Sequence, residues 1–171
     1  MPGKKGAKKK RPDPIATVGA ILQSYADRAV FRGFSGTAPT GGRGKKASFQ
    51  ILWHRDRTLD FLVDASKGTL HIPLVLPQVP ARSEMYRKFM AFIAERCSAE
   101  MLPHRRIDPK KARVTCANKG GNVSVTLTVR GGDYEYGTQK MIHLIHEVFL
   151  TFLQEYFDYQ VEVFELDPDR P

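Results

Sequence analysis

A chain of 171 residues with 27 basic and 18 acidic side chains, 42% apolar residues and two cysteines has the balance of one globular domain with a short appendage. No stretch approaches the ~20 apolar residues of a membrane-spanning helix. The basic start runs from Arg11 straight into Pro12, Asp13 and Pro14, where a secretory leader would place its apolar core, so a cytoplasmic protein is expected.

The net charge of +9 is unevenly spread. Lys4, Lys5, Lys8, Lys9, Lys10 and Arg11 against Asp13 give residues 1–13 a charge of +5, and the remainder carries +4. The first segment has no large apolar side chain beyond Met1, so burial cannot offset its ordering entropy. Residues 1–13 therefore read as a disordered basic tail and residues 14–171 as a single α+β domain. Such a tail attracts phosphates and acidic surfaces alike.

Asp13-Pro14 is a helix start, a capping residue followed by proline at the first helical position. Ile15, Val18, Leu22, Tyr25 and Ala26 then recur at helical spacing, to an end near Val30. The glycine-rich stretch 33–46 predicts a loop, with room for a short strand over residues 31–34. Phe49, Ile51 and Trp53, then Leu59, Phe61 and Val63, then Leu70, Ile72, Leu74 and Leu76 alternate with more polar neighbours, which predicts a three-strand meander. Pro73 has no N–H to donate, so the third strand should be an edge or be bulged there.

Ser83 opens a second helix, predicted to run to about Glu100 with Met85, Phe89, Phe92, Ile93 and Cys97 on its inner side. A basic connector, residues 104–111, leads to a strand containing Val114 and Cys116. Lys119-Gly120-Gly121-Asn122 turns the chain into Val123, Val125, Leu127 and Val129, a strand of period two. Asp133 caps a long helix from Tyr134 to about Tyr156. Residues 158–166 fit both a strand and a continuing helix, and the helix is preferred, stopping at Asp167-Pro168. The order is α-β-β-β-α-β-β-α, an antiparallel sheet packed against helices.

The hairpin-to-helix passage GGNVSVTLTVRGGDYEYGTQKMIHLIHEVFLTFL carries a valine-rich strand through a glycine and acidic turn into an apolar helix. With the element order from Ile15 to Tyr156, it resembles the type III secretion chaperone-like fold and its YbjN-like branch of sensory-transduction regulators. The resemblance implies homodimeric, chaperone-like proteins that bind extended segments of a partner. Relatives of the secretion type are commonly acidic, whereas this chain is basic.

Catalytic motifs are not evident. Taking Gly44-Lys45 as the end of a phosphate loop puts Pro39 where the first glycine belongs and Lys46 where Ser or Thr belongs, and a strand follows instead of a helix. His143, His146 and Glu147 form neither H-E-x-x-H nor H-x-x-E-H, and two histidines fall short of a tetrahedral metal site. Cys97 and Cys116 lack C-x-x-C spacing and read as small core residues. No catalytic residue, cofactor or metal is expected.

Two binding candidates remain. Counted at 100° per residue, the core-facing arc of the last helix centres on Ile145, Phe149, Phe152 and Tyr156, while Leu150, Leu153 and Phe157 widen it along one flank. Those three are the candidate protein interface, for a partner of unknown identity or a second copy in a homodimer. The alternative is that Val161, Phe164 and Leu166 fold back over the flank. The second candidate is polyanion binding by the tail cations with Arg105, Arg106, Lys110, Lys111 and Arg113 of the connector. No RNA-binding aromatic signature accompanies them. The expected function is a non-enzymatic adaptor or chaperone-like module; the alternative is a nucleic-acid-associated accessory protein.

Overall fold

The computed structural model describes residues 10–36, 45–53 and 57–165. Lys4, Lys5, Lys8, Lys9, most of the glycine-rich loop, Leu166 and Asp167-Pro168 lie outside those residues. The first helix, α1 (Pro14–Asp27), starts where expected, with the Asp13 carboxylate accepting from Ile15 N–H. Strands β1 (Gly33–Gly36), β2 (Lys46–Leu52), β3 (Thr58–Asp64) and β4 (Thr69–Leu76) follow. Helix α2 (Glu84–Glu95) leads to the hairpin of β5 (Ala112–Lys119) and β6 (Asn122–Val129), then α3 (Tyr134–Leu150). A 3-10 turn, Phe152–Glu155, and a last helix, α4 (Phe157–Phe164), end the described chain. No helix among the described residues is long and apolar enough to cross a membrane.

The α+β class stands, with a six-stranded antiparallel sheet in the order β1-β2-β3-β4-β6-β5. Its inner face carries Phe49, Ile51, Phe61, Val63, Leu70, Ile72, Val114, Val123, Val125, Leu127 and Val129, all buried. Helices α1 and α3 pack side by side over it, and α2 covers β5. The other face is polar: Gln50 meets Asp60, and His71 bonds Thr126 Oγ1 at 2.8 Å. Strand period two thus separates the layers, polar residues facing out and apolar residues in.

Helix α3 approaches the sheet through Gly137. A Cβ there would fall 2.3 Å from Val129 Cγ1, so glycine is what lets the helix lie this close.

Of the two places open to Pro73, an edge or a bulge, the structure takes the bulge: β4 is central, and its register shifts between Ile72 and Leu76. Three expectations are corrected. Residues 33–36 pair with β2 and add a strand at the sheet edge. Helix α2 stops at Glu95, and the Arg96 side chain beyond it turns inward to pair with Glu147. The last helix breaks at Thr151, where φ is −122° and the 3-10 turn begins. That break lets the neighbouring Phe152 and Leu153 both enter the core. Phe152 packs on Phe89 and Phe92, with ring centroids 5.2 and 5.4 Å away. A straight helix would have separated them by ~100°.

Candidate functional site

The break at Thr151 makes an elbow, and two of the exposed large apolar side chains flank it; Leu74, Met90 and Leu102 are exposed elsewhere. Leu150 ends α3 and is 61% exposed; Phe157 begins α4 and is 55% exposed. Leu153, the third residue assigned to this flank, is fully buried. It is corrected to a core residue: the 3-10 turn rotates it inward, which a count along a continuous helix misses.

Helix α4 folds back without burying any of its residues. Tyr159 Oη donates to Pro77 O at 2.6 Å, Gln160 Nε2 donates to Leu153 O, and the Phe164 ring lies 5.9 Å from that of Phe149. This return covers part of the flank, as the alternative reading expected of Phe164, but leaves Leu150 and Phe157 open.

Between α4, the end of α3 and the ends of β2 and β4 lies an open groove of about 600 Å3. Trp53, Leu74, Pro77, Phe149, Leu150 and Phe164 supply its apolar lining, and Gln154, Gln160 and Glu165 stand among its polar members. Trp53 is positioned by its backbone N–H donating to Arg57 O at 2.7 Å and by the His146 ring 4.6 Å from the indole.

Arg57 also lines the groove, and its side chain runs inward. Its Nη2 donates to Val75 O, a carbonyl beside the β4 bulge. Its guanidinium carbon lies 4.1 Å from the Phe164 ring centre and 5.1 Å from that of Phe149. Burial brings the Arg57 pKa down to about 10. Burial likewise pushes the Tyr159 hydroxyl well above its ordinary value.

No family model, curated protein or solved structure matches this chain.

The polyanion candidates are divided by the structure. Lys10, Arg11, Lys110, Lys111 and Arg113 are exposed. Arg105 is not free, because its Nε donates to Glu147 Oε1. Glu147 accepts from Arg96 Nη1 with its other oxygen. Arg106 has its Nε buried, without a hydrogen-bond partner. The connector is therefore docked on α3 through Glu147, and Lys140 Nζ adds a bond to His104 O at 2.9 Å.

Of the remaining sequence candidates, His143 stands 6.4 Å from the Tyr25 ring, and burial lowers its pKa. Burial raises the pKa of the Cys97 and Cys116 thiols. No group of three metal-ligating side chains occurs among the described residues.

Trp53, Arg57, Leu74 and Pro77 were missed as site residues. Trp53 and Leu74 carried a strand-core signal instead. Arg57 ends the polar run H-R-D-R of the sequence, where no local pattern separates an inward arginine from a solvated one.

Proposed function

We propose that this chain is a non-enzymatic, cytoplasmic binding module that docks a protein partner through the elbow between α3 and α4. The observation that carries the reading is the exposure of two large apolar side chains, Leu150 and Phe157, at one bend of the chain. Apolar side chains grouped on a surface are characteristic of contact faces, and aromatic anchors dominate such contacts. Resemblance to the type III secretion chaperone-like fold supports the same reading, since it implies docking of partner segments by a homodimer. The two free thiols agree with a reducing compartment.

A second copy of the chain is one partner this face can take, through an isologous contact across a two-fold axis. Sedimentation equilibrium tests that branch. The wild type is expected to dimerise, and Leu150→Asp with Phe157→Asp is expected to give a folded monomer. A wild type that stays monomeric at all concentrations removes the homodimer and leaves a different protein as the partner.

The exposed cations Lys10, Arg11, Lys110, Lys111 and Arg113 favour a second reading, as a nucleic-acid-associated accessory protein. If the six tail cations contact duplex DNA, log K should fall with log salt at a slope of up to about −5. Deleting residues 1–13 should abolish that dependence. Binding that survives high salt or ignores the deletion contradicts this reading.

A further inference from the structure

Arg57 is a cation in the wall of an apolar groove, and the described residues give it no anion. No salt bridge joins it to a described carboxylate; Glu165, which also lines the groove, is exposed at the end of α4. Its Nη2 is used on Val75 O, while Nη1 is buried without a hydrogen-bond partner. A desolvated guanidinium with an unused N–H is costly unless an anion compensates it. We propose that this groove binds an apolar molecule carrying a single carboxylate, with Arg57 receiving the carboxylate and the aromatic walls receiving the apolar body.

The chemistry narrows the ligand. A guanidinium pairs with the planar, singly charged carboxylate through directed N–H bonds. A phosphate would bring more charge and more acceptors than the unused Nη1 amino group among apolar walls can satisfy. Trp53, Leu74, Phe149 and Leu150 offer the tail an apolar bed, and the groove's ~600 Å3 lies within the size range of small-molecule sites. Helix α4 is the wall that can yield. None of its residues is buried and no side chain caps its start, so a carboxylate can displace the Phe164 ring from the guanidinium.

The same chemistry is offered by a free fatty acid and by the C-terminal residue of an apolar peptide. The groove shares Leu150 with docking at the elbow, but Phe157 does not line it. Phe157→Asp alone therefore tests the elbow, and Arg57→Gln tests the groove.

Trp53 is the single tryptophan and lines the groove, so its emission reports occupancy. The full chain is titrated with decanoate and decanol, and with acetyl-Phe-Leu as free acid and as amide, with calorimetry in parallel. At least one acid is expected to bind roughly tenfold more tightly than its neutral twin, as a charge-assisted bond requires. The acid with the larger preference identifies the source. Arg57→Gln, which keeps a donor for Val75 O, should bring acid and twin within about twofold, while Arg57→Lys should retain part of the preference. If Arg57→Gln fails to fold, salt decides on the wild type: added chloride should weaken the acid and spare its twin. Equal affinity of acids and twins in the wild type, or no binding of either acid, overturns the proposal.

Discussion

Replacing Glu147 by alanine should lower the stability of this protein by about 3–5 kcal/mol. Arg96 has a side chain only 4% exposed, and the half-buried Glu147, 16% exposed, supplies its carboxylate. The other anion in reach, Glu95 at 3.6 Å, is 62% exposed and screened by water. Below the guanidinium lies the Phe92 ring, 4.0 Å from the guanidinium carbon, so water cannot replace the lost partner from that side. The same substitution frees Arg105 and loosens the connector from α3. For a domain of this size the melting temperature should fall by about 2–4 °C per kcal/mol, which calorimetry reads directly. Removing the whole pair, as Arg96→Met with Glu147→Leu, should recover most of the loss, because no charge is then left buried and unpaired. A single Glu147→Ala cost below about 0.5 kcal/mol would mean that Arg96 finds water, and that the ion pair does not hold α2 to α3.

The second large effect lies in the sheet. Leu127→Ala should cost about 2–5 kcal/mol, the range for emptying a fully buried leucine site. Leu127 is 0% exposed, is paired with Leu70 on one side and Val114 on the other, and lies beneath Gly137 of α3. Strands held by ladders on both sides cannot collapse into the space, so the cavity persists. Its neighbour Thr128 faces the polar side, and Thr128→Ala should change stability by less than about 0.5 kcal/mol in urea denaturation. Equal effects at the two positions would contradict the assignment of faces.

Residues 123–129 show why this part was legible. Their alternation is set by the pleat, and the two faces meet different solvents, so the sequence pattern and the burial pattern coincide. The starts of α1, α2 and α3 were legible for a comparable reason. Asp13, Ser83 and Asp133 each accept from a backbone N–H of the first turn, an interaction written within three residues.

What was not legible depends on distant partners. Strand β1 is Gly-Phe-Ser-Gly and has almost no pattern of its own; its pairing with β2 makes it a strand. The helical period runs through Thr151 without interruption, and the break there accompanies the packing of Phe152 on the distant α2. Leu153 was assigned to the surface because that break was invisible. Among the candidate site residues, Leu150 and Phe157 were marked by an over-wide apolar stripe, a local signal. Arg57 was not marked, because what sets it apart is the β4 carbonyl and the two aromatic rings that distant segments bring to it.

The most direct test of partner docking is affinity capture from native lysate with nuclease added, comparing the wild type with Leu150→Asp/Phe157→Asp under conditions where both are folded. Because both side chains are exposed, the double variant should melt within a few degrees of the wild type. The account predicts that mass spectrometry finds a protein, or a second copy of the chain, retained by the wild type and lost from the variant. Retention of the same proteins by both would contradict docking through the elbow.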